Sequence, residues 1–173
     1  RNDKSSSVVR WPLHDPASKT YEIYKSTSAD ITAMDISANG RLVVGDEAGY
    51  VRAWDIGQDS KTPVQTTSVH SGKVTNILIG PDDQAVISAS VVDGTRLWYM
   101  TASEDSDTRA VIDYRIPNAV SSVVRSDNGD FLAIGGINSE TEMGSVRLYS
   151  NLQTPEVLDD LSFGSYYGSS LQA

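Results

Sequence analysis

Residues 31–55, ITAMDISANGRLVVGDEAGYVRAWD, decide the fold of this chain, because their pattern returns twice further along. The stretch contains an apolar run, a tight turn, a second apolar run, another turn, and a strand that ends in an aromatic residue. The same order occurs in residues 74–99 and, with an insertion, in residues 120–150. Self-similarity at a fixed period is the sequence signature of a repeat architecture.

The markers of the repeat keep a nearly constant spacing. The first turn of each of the three repeats contains one marker residue. These residues, at intervals of 43 and 46, are Gly40, Asp83 and Gly129. The closing aromatic residues, at intervals of 43, 44 and 51, are Trp11, Trp54, Trp98 and Tyr149. Three of them have an arginine two positions earlier, namely Arg52, Arg96 and Arg147. A period near 43 residues is that of one supersecondary unit, repeated.

Local residue chemistry predicts an all-β chain. Residues 42–44, 85–87 and 131–134 are mostly apolar and rich in residues that favour strands, as buried strands are. Residues 51–54 alternate as a half-exposed strand does. The pairs Asn39-Gly40 and Asn128-Gly129 predict two-residue hairpin turns, in which both positions adopt positive φ. No segment combines a helical period with capping residues.

Several motifs resemble those of one known family. Residues 50–55, YVRAWD, resemble the Trp-Asp ending of a WD40 repeat, and residues 93–98, DGTRLW, resemble the Asp-Gly turn that leads into it, one residue short. His70 stands four positions before Val74, where the family has a Gly-His dipeptide. Over about residues 7–161 the chain is therefore similar to WD40-type β-propellers, whose blades take ~40–45 residues.

The resemblance implies a division into blades. It gives a partial blade of third and fourth strands at 1–25, complete blades at 26–68, 69–114 and 115–161, and a Gly/Ser/Tyr-rich tail or the start of a further blade at 162–173. Propellers have roughly 4–8 blades, and an open stack would leave bare apolar end faces. We therefore expect an incomplete part of a propeller of about seven blades, completed by the same or another chain.

The resemblance also implies structural roles. WD40 blades often hold a hydrogen-bonded set of His, Ser, Asp and Trp that ties strands and turn together. Only the second blade has all four types in place, as His70, Ser88, Asp93 and Trp98. The other closing aromatic residues are expected in the core: Trp11, Trp54 and Tyr149. Apolar packing is expected to hold the remaining blades together.

Composition narrows the function classes. The chain has no cysteine, which excludes disulfides, Cys-ligated zinc and thiol nucleophiles. The net charge of −9 disfavours direct nucleic-acid binding. No apolar run approaches the ~20 residues of a membrane span. These observations favour a protein of the cell interior, cytoplasmic or nuclear, that binds neither nucleic acid nor membrane.

The sequence offers no convincing catalytic or metal-binding constellation. The two histidines, His14 and His70, lie 56 positions apart and make a poor metal site. The adjacent carboxylates Asp46-Glu47 are interpreted as solvated turn residues, and residues 104–107 lack the glycine and bidentate Glu of a calcium loop. No Ser lies in a Gly-x-Ser-x-Gly elbow. We expect no catalytic residue, no metal and no cofactor.

The favoured hypothesis is a non-catalytic scaffold that mediates protein–protein interaction within a larger assembly. One alternative is a propeller enzyme of hydrolase or lactonase type with acids at the central channel, although the positions after the first strands are Ser37, Gly80 and Ser126. Another is a ligand- or glycan-binding propeller, although no exposed aromatic recurs. The family's usual binding rim corresponds here to Asp30, Asp46, Glu47, His70, Lys73 and Asp93.

Overall fold

The structure, a computed structural model, describes residues 5–11, 17, 20–56, 62–100, 112–114, 119–138, 143–150 and 156–163. Within these residues the chain forms fourteen strands and no helix. The strands are β1 (Ser6–Arg10), β2 (Tyr21–Ser26), β3 (Ile31–Ile36), β4 (Arg41–Asp46), β5 (Tyr50–Asp55), β6 (Gln65–Ser68), β7 (Val74–Ile79), β8 (Ala85–Ser90), β9 (Gly94–Tyr99), β10 (Ile112–Tyr114), β11 (Ala119–Arg125), β12 (Phe131–Asn138), β13 (Met143–Ser150) and β14 (Glu156–Phe163).

The strands form four antiparallel sheets. Three are four-stranded meanders in chain order, which we term blade 1 (β3–β6), blade 2 (β7–β10) and blade 3 (β11–β14). The fourth sheet, termed the half-blade, contains only β1 and β2. Within each blade the strands are numbered first to fourth along the chain. On the repeat pattern of the sequence, β1 and β2 are predicted to be a third and a fourth strand.

The first strands of the three blades are linked by side chains that bind a neighbour's backbone. Thr32 on β3 donates to the carbonyl of Val74 over 2.6 Å. The carboxylate of Asp35 accepts the Ile79 N–H at 2.8 Å, and Arg125 on β11 donates to the Ile79 carbonyl at 2.8 Å. These bonds place β3, β7 and β11 side by side at the inner edge of the blades.

Three apolar clusters lie between successive sheets. The cluster between half-blade and blade 1 contains Val8, Leu42, Val44 and Trp54. The next, between blades 1 and 2, includes Val43, Val51, Ala53, Val74, Ile77, Val86 and Trp98. The third, between blades 2 and 3, includes Ile87, Leu97, Val120, Val123, Leu132, Ile134 and Tyr149. Successive residues of a strand point to opposite faces, so a second strand buried on both faces has a continuous apolar run.

The first strand of each blade has a β-bulge at the same position, and the extra residue always has a hydroxyl group in its side chain. The register shifts between Ile31 and Ala33 in blade 1 and at the equivalent points of the other two blades. The hydroxyls donate to backbone carbonyls of the second strand: Thr32 to Gly45 at 3.4 Å, Thr75 to Ala89 at 3.2 Å and Ser121 to Gly135 at 3.2 Å. A bulge bends its strand and increases the twist. The sequence did not reveal this shared feature.

The prediction of two-residue hairpin turns is wrong. Gly40 and Gly129 have positive φ, 86° and 76°, but neither asparagine before them does. In the first turn the Gly40 N–H donates to the Ser37 carbonyl and the Ser37 N–H donates to the Arg41 carbonyl, at 3.1 and 2.8 Å. The connection is therefore a hairpin loop longer than two residues, in which a type I turn is followed by one residue with positive φ. Gly40 is that residue in blade 1, and Asp83 takes the same conformation in blade 2.

Trp11 departs from the expectation that every closing aromatic lies in the core. Trp54, Trp98 and Tyr149 are 1%, 1% and 5% exposed, whereas Trp11 is 60% exposed. Each buried aromatic lies opposite an apolar residue of the second strand: Leu42, Val86 and Leu132 respectively. In the described residues β1 pairs only with β2, so no second strand covers Trp11.

A few sequence predictions lie outside the described residues. They concern His14 as a loop residue, residues 104–107 as an exposed connection, and the tail from residue 164 onward. Within the described part of the chain, no helix is long and apolar enough to cross a membrane.

Candidate partner-binding rim

The six residues predicted to contact a partner lie at one end of the sheets, where second strands end and first strands begin. The Glu47 N–H donates to the Asp30 carbonyl at 2.9 Å, and the Ser71 N–H donates to the Asp93 carboxylate at 2.9 Å. The Val69 N–H donates to the Gly49 carbonyl at 3.1 Å, which continues the pairing of β5 with β6 beyond Ser68. This surface, termed the rim, comprises Asp30, Asp46, Glu47, His70, Lys73 and Asp93.

Asp46 is a buried member of the rim. Its side chain is 1% exposed. One carboxylate oxygen accepts the backbone N–H groups of Ala48 and Tyr50 at 2.9 and 3.0 Å, and the other accepts Arg52 at 2.6 Å. The interpretation of Asp46 as a solvated turn carboxylate is therefore wrong. A charge buried in this way is stable because it is paired and hydrogen-bonded, and it fixes the β4–β5 turn.

Arg52 joins the half-blade to blade 1. Its guanidinium lies 5.4 Å from the ring centroid of Tyr24 and 5.2 Å from that of Tyr50, within the range of a cation–π contact. The Tyr24 ring in turn lies 4.9 Å from that of Trp54. The sequence marked Arg52 only as a recurring residue, because nothing local shows that a tyrosine of the preceding sheet will stack on it.

His70, Ser88 and Asp93 come together in blade 2. The Nε2 of His70 lies 2.8 Å from the Ser88 hydroxyl. Its Nδ1 lies 3.4 Å from the Asp93 carboxylate without hydrogen-bond alignment, so that contact is electrostatic. Trp98, expected as the fourth member, has an indole N–H without a hydrogen-bond partner and contributes through apolar packing.

This arrangement has the residue types of a nucleophilic triad but not its accessibility. Ser88 is completely buried and His70 is 3% exposed, so a substrate could not reach the hydroxyl without opening the sheet. Arg96 donates to the Val69 carbonyl and lies 3.5 Å from Asp93. The group ties the connection before β7 to the strands of blade 2.

Burial sets the protonation of this group. Burial lowers the pKa of His70 below 6.5; Asp93 would raise it, and the nearby positive charge of Arg96 lowers it further. For Asp93, burial alone would raise the pKa, but the Ser71 N–H, His70 and Arg96 outweigh burial and hold the pKa below 3.8. At neutral pH His70 is therefore a neutral imidazole beside a carboxylate.

We expect stability to fall in mild acid because of His70. In the unfolded chain the imidazole of His70 binds a proton near pH 6.5, whereas in the folded chain it does so only at lower pH. The free energy of unfolding therefore falls as the pH drops from 6.5 to the pKa of His70 in the folded chain. The contribution of Asp93 is lost later, as the pH falls below 3.8. Urea midpoints at pH 7.5 and 5.5 measure the effect.

The histidine variants separate this effect from general acid sensitivity. His70→Gln should reduce the difference between the two urea midpoints, whereas His14→Gln, at the other histidine, should leave it unchanged. An unaltered difference in His70→Gln would show that His70 does not cause the pH dependence.

The exposed members of the rim differ from the buried ones. Glu47 and Lys73 are exposed to solvent, and Asp30 is half-buried with its carboxylate accepting Ser6 over 3.1 Å. Asp93 is 18% exposed. Asp46 and His70, which the sequence placed among the contacts, are held inside the chain. Glu47 and Lys73 are thus the rim side chains best placed to touch a partner.

Comparison with known proteins agrees with this architecture. The family model described as "WD domain, G-beta repeat" matches residues 18–55, which include all of β3, β4 and β5. The chain therefore resembles the WD40-repeat proteins. Pre-mRNA-processing factor 19 of Caenorhabditis elegans is 28% identical over 126 residues, covering 72% of this chain and 24% of that protein. Cilia- and flagella-associated protein 52 of Homo sapiens is 30% identical over 92 residues, covering 53% and 14%.

Solved structures show the same fold. The β-propeller domain of Myceliophteria thermophila Cps50 (Swd1) superposes with a TM-score of 0.64 at 14% identity, over 90% of this chain and 52% of that one. The computationally designed Ika4 protein gives 0.57 at 22% identity, over 79% and 74%. A chain of the Mitotic Checkpoint Complex gives 0.62 at 14% identity, over 81% and 42%. The predicted WD40-type β-propeller fold is confirmed. The chain spans about a quarter or less of the two curated relatives.

Proposed function

We propose that this WD40 chain is a non-catalytic scaffold that binds a protein partner through its rim within a larger assembly. The observation that supports this is the contrast between buried and exposed polar groups. The polar groups of the buried rim residues Asp46 and His70, and the hydroxyl of Ser88, are held by partners within the chain. Glu47 and Lys73 project above them into solvent. A rigid support lowers the ordering cost of binding.

The chemistry of the chain favours a protein partner. Its net charge of −9 opposes association with a phosphate backbone. The cysteine-free composition suits a reducing compartment of the cell interior, cytoplasm or nucleus. One fold neighbour is a component of the Mitotic Checkpoint Complex, and by analogy we propose membership of a multi-protein assembly for this chain as well.

Charge reversal on the rim tests the proposal. In the full-length protein, the double variant Glu47→Lys with Lys73→Glu keeps the net charge but inverts both exposed rim charges. Since like charges brought together at an interface cost several kcal/mol, we expect at least about a tenfold loss of partner recovered by affinity purification from its source. Quantitative mass spectrometry of the purified complexes provides the measurement.

A matched control lies on the half-blade. Glu22 and Lys25 on β2 are one exposed acid and one exposed base that are not among the six rim residues. The variant Glu22→Lys with Lys25→Glu should recover partners like the wild type. Equal recovery by the rim variant and this control would argue against the rim as the binding surface.

A further inference from the structure

The connections between first and second strands lie at the end of the sheets opposite the rim. We term each of them the first turn of its blade, and they comprise residues 37–40, 80–84 and 126–130. A first turn precedes the second strand of its blade, whereas the rim follows it, so the two surfaces are separate. Two of the first turns contain an Asn-Gly pair, Asn39-Gly40 and Asn128-Gly129, and both asparagines are exposed.

The side chain of Asn39 links the first turns of two blades. Its Nδ2 donates to the Oδ2 of Asp83 at 2.8 Å, across a sequence separation of 44 residues, or about one repeat. Asp83 is the residue of the blade 2 turn that has a positive φ, 58°. Within the described part of the chain this is the one hydrogen bond of the Asn39 side chain. Because the acceptor is a carboxylate, the bond is charge-assisted.

Asn128 occupies the equivalent place in blade 3 but bonds inside its own turn. Its Oδ1 accepts the Ser126 hydroxyl at 2.7 Å and the Asp130 N–H at 3.3 Å. Its Nδ2 donates to the Asp130 carboxylate at 2.6 Å. These partners are two positions away on either side, so the three bonds do not depend on how neighbouring blades are placed. The two Asn-Gly pairs thus form a matched set that differs in what the amide holds.

An Asn-Gly pair can lose ammonia without an enzyme. The backbone nitrogen of the glycine attacks the side-chain carbonyl carbon of the asparagine, and the bond from that carbon to Nδ2 breaks. Ammonia leaves with the proton of the glycine nitrogen, and water opens the resulting succinimide to aspartate or isoaspartate. Glycine favours the attack because it has no β-carbon to obstruct the approach.

The structure makes Asn39 the more reactive of the two asparagines. In both turns the glycine N–H donates to a serine carbonyl, Gly40 to Ser37 at 3.1 Å and Gly129 to Ser126 at 2.9 Å, so both turns must open before attack. The Asn39 side chain then gives up one further bond, whereas that of Asn128 gives up three. Each net hydrogen bond lost raises the cost of reaching the reactive geometry.

We propose that Asn39 is a site of spontaneous deamidation and that its conversion uncouples the first turns of blades 1 and 2. The product side chain is a carboxylate, which accepts hydrogen bonds but donates none. It faces the carboxylate of Asp83, so an attraction between neighbouring blades becomes a repulsion between like charges. Neither residue belongs to the rim, and the proposal does not depend on the rim partner.

Ageing of the full-length protein tests the site. The protein is kept in mildly alkaline buffer, which promotes loss of the proton from the attacking nitrogen, and peptide mapping by mass spectrometry follows each asparagine with time. We expect Asn39 to convert about fivefold faster than Asn128, since about one more net hydrogen bond restrains Asn128. Conversion of Asn128 at an equal or higher rate would overturn the proposal.

Two single variants test the consequence. Asn39→Asp reproduces one product, and amide exchange at Gly40 and Arg41, whose N–H groups both donate to Ser37, reports opening of the blade 1 turn. Losing the bond to Asp83 should make this exchange about fivefold faster. Asn128→Asp makes the same chemical change in blade 3 and should leave exchange at Gly40 and Arg41 unaltered. Unaltered exchange in Asn39→Asp would overturn the proposal.

A reciprocal exchange identifies the partner. Asn39→Asp combined with Asp83→Asn keeps the composition and net charge and reverses donor and acceptor. Asparagine tolerates the positive φ of position 83, and Asn39 is exposed while Asp83 is half-buried, so the chain should stay folded. Exchange at Gly40 and Arg41 should return to within about twofold of the wild type, as expected for two coupled residues. A double variant that opens as fast as Asn39→Asp would overturn the proposal.

Discussion

Gly49→Ala is expected to lower the free energy of unfolding by about 3–5 kcal/mol, from backbone strain together with overpacking. Gly49 has a φ of 86°, which an L-residue adopts only at a cost. A β-carbon there would overlap the backbone oxygen of His70 and lie 3.0 Å from the carbonyl oxygen of Gly72. Because the neighbour is backbone, relief would require blades 1 and 2 to move apart. Urea denaturation measures the loss.

Gly40→Ala isolates the conformational part of this effect. Gly40 has the same φ of 86°, but an added β-carbon would meet nothing within 4 Å. The substitution should therefore cost only about 1–2 kcal/mol, the usual penalty for a left-handed L-residue. Equal losses at the two positions would contradict the close packing of the β4–β5 turn on the connection before β7.

Trp98→Ala is expected to lower the free energy of unfolding by about 3–5 kcal/mol, through lost burial and the cavity left behind. Trp98 is 1% exposed and packs with Val43, Val51 and Ala53 across the boundary between blades 1 and 2. The loss should weaken both blades together. Urea midpoints, with far-UV circular dichroism to monitor the β-structure, provide the measurement.

Two substitutions give this prediction its controls. Trp11→Ala removes the same side chain at a position that is 60% exposed, and the cost should stay within about 0.5 kcal/mol. Trp98→Phe keeps most of the volume and removes an indole N–H that has no hydrogen-bond partner, so it should cost much less than Trp98→Ala. A Trp11→Ala loss as large as that of Trp98→Ala would mean that Trp11 already packs against a sheet.

The fold could be predicted because its signals are local and recur. Residues 42–44 are apolar because β4 is buried on both faces, and a closing aromatic marks each third strand, as at Trp54 and Trp98. The prediction that every closing aromatic is buried was wrong only at Trp11, because no described second strand lies opposite it. A residue type at the correct position therefore predicts its environment only where the neighbouring strand is also present.

The sequence predicted rim residues by position but could not predict which of them are exposed. Asp46 and Glu47, in the turn before β5, look alike in the sequence. Their difference arises because Arg52 and two backbone N–H groups surround Asp46. The bulge hydroxyl of Thr32 was missed for a similar reason, since β-bulges depend on cross-strand register.

The inter-blade hydrogen bonds couple each blade to its nearest neighbours along the chain. They join residues 42, 44 and 46 positions apart, about one repeat each, so the bonds link nearest neighbours in the array. In such a quasi-one-dimensional array, stability is roughly a sum of blade and interface contributions. Blade 2 packs against blade 1 on one face and against blade 3 on the other, so its unfolding breaks two interfaces at once. A substitution that weakens blade 2 therefore also loosens the blade on each side of it.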